Sequence, residues 1–127
     1  MMNTAAILVL LFLAITFLQS GYDKVADWSG NVGWLKSHFA STFLKNNIPA
    51  ALGMILVLEI ISGILCIMGP IQIMVNGLTE YGYYGAVCSS ITLLFLLAGQ
   101  RIAKDYDGAR TIGIYFIPAV LAVFWLS

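Results

Sequence analysis

Four stretches of this chain, at about residues 5–22, 49–69, 82–99 and 109–126, are each apolar for about a bilayer's thickness. Between them they hold two charged residues, Glu59 and Arg110. A helix needs about 20 such residues to cross the hydrocarbon. Lipid offers backbone groups no hydrogen bonds, so a spanning segment must satisfy its own, as a helix does. The expected fold is therefore all-α: one integral membrane domain, a four-helix bundle. Composition agrees, with 61% hydrophobic and 9% charged residues, where soluble domains carry roughly 25% charged. A soluble domain of 127 residues has too little interior to hide that much apolar surface. The first stretch, Ala5 to Tyr22, reads as a retained helix. Met1 to Thr4 lacks Lys and Arg, and no small-x-small cleavage site follows, so it does not have the form of a signal peptide.

The connections carry the polarity. Residues 23–48 hold Asp23, Lys24, Asp27, Lys36, Lys45 and His38. Within them Leu35, Phe39 and Phe43 recur at one helical spacing and Ser37, Ser41 and Lys45 at another. That pattern predicts an amphipathic helix over about 31–45, lying in the membrane interface between the first and second spans. Tyr22, Trp28 and Trp34 suit the headgroup level. Asn46 and Asn47 offer N-cap oxygens for the second span, and Pro49 fits its first turn. Gly69-Pro70 ends or kinks that span, and Ile71 to Val75 either continues it or lies along the interface. The small-xxx-small pairs Gly85/Ser89 and Ala86/Ser90 permit close helix approach. Pro118, inside the fourth span, is expected to bend it. Short loops make successive spans antiparallel, giving an up-down bundle. Loops one and three then share a side and carry the Lys and Arg residues, so the positive-inside rule places both termini outside the cytoplasm.

Glu59 is the outlier, because a charge near mid-bilayer costs roughly 2.5–3.5 kcal/mol on insertion scales. Its candidate partners lie toward loops one and three: Gln19, Lys24, Gln100 and Arg101. Together these five residues predict a polar pocket open to that side; the alternative is a neutral Glu59 that only hydrogen-bonds its neighbours. Asp23 and Asp27 of loop one can pair with charges of loop three such as Lys104, beside Asp105, unless all form a solvated face. His38 has proton-shuttle chemistry but stands alone, with no second ligand at metal spacing. Cys66 and Cys88, without a CxxC or a basic neighbour, read as packing residues. No metal site and no catalytic motif is found. With zero net charge and no basic run, nothing points to nucleic acid.

Three motifs together resemble the DoxX family of small bacterial membrane proteins. The first span ends Ser20-Gly21-Tyr22-Asp23-Lys24, similar to the family's S-G-x-x-K. The second holds Glu59-Ile60-Ile61-Ser62-Gly63, resembling its E-x-x-x-G core, with Gly69 following. The run from Gly99 to Tyr106 looks like a signature of some members. The resemblance implies a four-helix protein of the bacterial cytoplasmic membrane, with Lys24 and Glu59 as its polar pair. It also implies association with quinol oxidase or thiosulfate:quinone chemistry. This chain lacks the basic N-terminus, paired haem-ligand histidines and a flavin motif. The expected role is thus a non-catalytic accessory subunit of a quinone-linked complex. The alternative is a protein that binds or transports a small molecule, lipid or proton at Glu59. No intrinsic cofactor is expected beyond a bound quinone or lipid. The expected partners are membrane lipids, with other membrane subunits or further copies of the chain.

Overall fold

The computed structural model describes residues 4–42 and 46–127. The described residues form helices α1 (Thr4–Ala26), α2 (Trp28–His38), α3 (Ile48–Asn76), α4 (Glu80–Ile102) and α5 (Tyr106–Leu126). Of these, α1, α3, α4 and α5 are long and apolar enough to cross a membrane. The chain is a multi-pass membrane protein of the four-span bundle type. In the bundle α1 packs on α3, α3 on α4 and α4 on α5, and α5 returns to α1.

Lipid tails are as apolar as the helices, so association rests on close packing and polar contacts. In α1 the buried positions Ala6, Leu10, Leu13, Ala14, Phe17 and Gly21 recur at spacings of three and four. They meet Cys66 and Ile73 of α3, Ala86 and Leu93 of α4, and Ala119, Ala122 and Leu126 of α5. The opposite face of α1, with Leu8, Phe12 and Ile15, is exposed, as suits lipid.

The α3–α4 seam is built from small residues. A Cβ placed on Gly69 would lie 2.6 Å from the Cα of Gly82, and one on Gly85 would lie 3.0 Å from the backbone of Cys66. Both expected small pairs, Gly85/Ser89 and Ala86/Ser90, are buried in α4. Along the seam Ser62 and Thr92 share a hydrogen bond at 3.4 Å, and Cys66 and Ser89 one at 3.5 Å. Cys66 is thus a packing residue as expected, while Cys88 is half-buried; both thiols are free.

Several boundaries differ from expectation. Of the two expectations for Gly69-Pro70 and the residues after it, the continued helix holds, since α3 runs through Pro70 to Asn76, beyond the expected end at residue 69. Its stop is Gly77, whose left-handed φ of 77° suits a residue without Cβ and whose N–H donates to the Ile73 carbonyl. At 29 residues α3 is the longest helix, about 43 Å against about 30 Å of hydrocarbon. Asn47 is the N-cap residue of α3 but its side chain makes no capping bond; Pro49 sits in the first turn as expected.

The interfacial helix is shorter and earlier than predicted. It spans Trp28–His38 rather than 31–45, because Asp27 accepts from the Gly30 N–H at 3.2 Å and so starts the helix there. It stops at Phe39, which leaves helical geometry while its N–H still donates to Leu35. Phe43 and Lys45 of the predicted pattern lie outside the described residues. The face turned to the bundle is Trp28, Asn31, Val32, Leu35 and His38, all half-buried; Ser29, Gly33, Lys36 and Ser37 are exposed.

The α4–α5 turn is tight. Asp105 N–H donates to the Gln100 carbonyl at 2.8 Å and Lys104 N–H to that of Arg101 at 3.1 Å. This is the Schellman pattern, which places the intervening residue in the left-handed region. Here that residue is Lys104, with φ 60°, where glycine is the unstrained choice. Lys104→Gly is expected to raise stability by about 1 kcal/mol; denaturant unfolding in detergent checks it, and an unchanged or lowered midpoint refutes the strain. Asp105 then caps α5 by accepting from Gly108 N–H at 3.0 Å.

Candidate functional site

Helical side chains lean toward the N-terminus of their own helix. Because α1 runs toward loop one, Lys24 in its last turn points back into the bundle, although a lysine near a helix end ordinarily snorkels toward water. Two groups hold it there. Its Nζ donates to Ser20 Oγ, one turn back, at 2.7 Å, and stands 2.8 Å from Glu59 Oε1 of α3. The contact with Oε1 falls outside hydrogen-bond geometry, so Lys24 meets this oxygen as a charge and directs a proton to Ser20. Glu59 is only 1% exposed. A carboxylate so deeply buried needs a cation, and Lys24 is that cation. The register is set by glycines. Gly21 lies against Leu56 and Ile60, and a Cβ on Gly63 would strike the Leu18 side chain at 2.6 Å.

Above this pair lies a cavity of about 410 Å³. Its walls are apolar: Leu52 and Ile55 from α3, Phe95 and Leu96 from α4, Leu35 and Phe39 from the α2 segment. Lys24, Asn31, His38 and Gln100 supply the polar lining, and no carboxylate is among the described lining residues. Asn31 is already committed, because its amide donates to the Asp27 carbonyl at 2.7 Å and to that of Asp23 at 3.3 Å. Two lining residues, Met54 and Phe95, are about half exposed. They lie roughly 9–11 Å inside the ends of α3 and α4, and Trp34 of α2 is a further exposed residue of the lining.

α2 roofs the cavity as a strap. At one end the Trp28 ring lies beside Gly53 of α3, and at the other the Phe39 ring lies over Gly99 of α4. His38 stacks on Trp34 at 4.5 Å between centroids and stands edge-on to Phe39. Its Nε2 is 3.5 Å from Asp105 Oδ2, an ion pair when the imidazole is protonated.

The five residues expected around Glu59 do not all meet. Lys24 is its partner, and Gln100 lines the cavity above. Gln19 is exposed, because it falls two residues after buried Phe17 and so on the outer face of α1. Arg101 is exposed too, with its guanidinium over the Tyr106 ring at 5.3 Å. The two loops pair differently from expectation. Asp27 is occupied at the α2 N-cap, and the Asp23 side chain and Lys104 are exposed. Arg110 pairs within its own helix with Asp107. Among the described residues, the side-chain contact that links the loops is His38–Asp105. Sequence reasoning left His38 alone, and its partner lies too far along the chain for spacing to reveal.

Among the described residues no group of three His, Cys, Asp or Glu is placed to hold a metal ion. Comparison of the chain with family models, with curated proteins and with solved structures finds no match.

Proposed function

We propose that this protein is a non-catalytic membrane binding protein, with the cavity under α2 receiving an amphiphile of the quinone or lipid class. The observation that carries the reading is the division of the cavity wall. Its body is apolar, while Lys24, His38 and Gln100 gather donors for a polar head. Ligand sites are characteristically apolar clefts with a few placed polar groups. The DoxX resemblance supplies the setting: an accessory subunit of a quinone-linked complex in a bacterial cytoplasmic membrane. Ser20, Gly21, Lys24, Glu59 and Gly63, which carry two of the three motifs of that resemblance, belong to the α1–α3 contact beside the cavity.

Trp34 lines the cavity and provides a reporter. A short-chain ubiquinone analogue and a short-chain phospholipid, each titrated into protein in nanodiscs, should give saturable change of Trp34 emission for at least one. Ala51→Phe, which fills the lining from α3 without adding an indole, should weaken that binding about tenfold or more without lowering the melting temperature. If neither ligand saturates, or the filled variant binds as well, the reading fails.

A further inference from the structure

We infer that the head group this cavity prefers is an acid, and that it enters together with one proton, which Glu59 receives. The inference rests on the cavity being a ligand site and adds the chemistry of its ligand. Three observations lead to it.

The first is what each member of the buried pair faces. Lys24 lines the cavity, and Glu59 does not. A guest at the inner end therefore meets the ammonium with the carboxylate hidden behind it. The second is the rest of the lining. Lys24, His38 and Gln100 can all donate, and none of the described lining residues is acidic. Charge complementarity on this wall favours an anion over a cation or a simple hydrocarbon. The third is that, among the described lining residues, the lysine has no charge to spare. Lys24 is already neutralised by Glu59 at 2.8 Å. An anion arriving there leaves two acidic groups sharing one ammonium, one of them 1% exposed. An unbalanced buried charge is strongly unfavourable, and two carboxylate-like groups sharing a site do not both stay ionised. Uptake of one proton by Glu59 restores neutrality: the guest stays anionic on Lys24, and Glu59 becomes an uncharged acid behind it.

Other titratable groups near α3 do not replace Glu59 in this exchange. From α1, Asp23 and Tyr22 are exposed. From the α2 segment, Asp27 caps its helix and Lys36 is exposed, while His38 lines the cavity and faces Asp105. From α4, Arg101 lies over Tyr106; the tyrosines 81, 83 and 84 and Glu80 belong to its opposite end, and Cys88 to its middle. Among the described lining residues His38 is the one alternative proton acceptor, so the test must separate it from Glu59.

A carboxylic acid probe cannot make that separation, because it can bring its own proton. Decyl sulfonate stays ionised at every usable pH. It is titrated calorimetrically into the full chain in phosphatidylcholine nanodiscs, in two buffers of different ionisation enthalpy, with the short-chain quinone as neutral comparison. The wild-type protein should take up one proton per sulfonate bound. Its affinity should rise as pH falls from 8 to 6. Glu59→Gln should bind sulfonate with no proton uptake and no such slope, and Glu59→Asp should keep the uptake. Lys24→Met should weaken sulfonate binding about thirtyfold or more.

Sulfonate binding without proton uptake in the wild type overturns the inference even if no variant folds. Uptake that persists in Glu59→Gln assigns the proton to His38 and also overturns it. Quinone binding without sulfonate binding overturns the acid preference while leaving the cavity a ligand site. If neither probe binds, both readings fall.

Discussion

Lys24→Met is expected to destabilise the bundle by about 3–5 kcal/mol, the cost of leaving one member of a buried ion pair alone. Glu59 is 1% exposed and 2.8 Å from the ammonium that the substitution removes. Ser20 cannot take over, since its hydroxyl touches Lys24 rather than the carboxylate. The double variant Lys24→Met/Glu59→Met should recover most of the loss, because a buried pair replaced by apolar side chains of similar size is often neutral or stabilising. Unfolding in mixed detergent, followed by circular dichroism, measures both. A single variant as stable as the parent would mean that Glu59 sits in the helix interface without needing its cation. A double variant no better than the single would mean that the site requires polar groups for its packing. The pair is therefore assigned to what the site does: paired charges add little net stability, yet removing one is costly.

Gly69→Val should cost about 3 kcal/mol or more, at the upper end for overpacking. The obstacle is backbone, since the added Cβ would stand 2.6 Å from Gly82 Cα and 2.9 Å from Gly82 N. Side chains can rotate away from such an intrusion; a helix backbone has to translate. Moving α4 outward would also loosen the Cys66–Ser89 and Ser62–Thr92 contacts farther along the seam. Gly113→Ala is the matched comparison, because nothing lies within 4 Å of its new Cβ, and Ala favours helix over Gly by about 1 kcal/mol. Equal effects of the two substitutions on detergent unfolding would rule out the close approach at Gly69.

The four spans were legible because lipid leaves few options: an apolar run of sufficient length must become a helix, and short loops then order the bundle. The close α3–α4 contact was legible in part, since Gly85/Ser89 advertises small residues on one face. The α1–α3 pair was narrowed to a few candidates. Helical phase would have finished that choice. Lys24 lies three residues after buried Gly21, on the inner face, whereas Gln19 follows Phe17 by two and points outward. The cavity itself was not legible. Its walls come from the α2 segment, α3 and α4, and a Leu or Phe that lines a hollow looks in sequence like one that fills a core. The His38–Asp105 contact was hidden for a related reason, since it depends on where a strap lands rather than on periodicity within a helix.

Met54 and Phe95 are exposed lining residues of two spanning helices, so an entrance between them would face hydrocarbon rather than water. A guest using that entrance must first dissolve in the surrounding leaflet. Occupancy then follows the ratio of guest to lipid, and the aqueous concentration matters only through partitioning. Adding buffer to a membrane suspension would scarcely empty the cavity of a well-partitioned guest, whereas adding guest-free bilayer would.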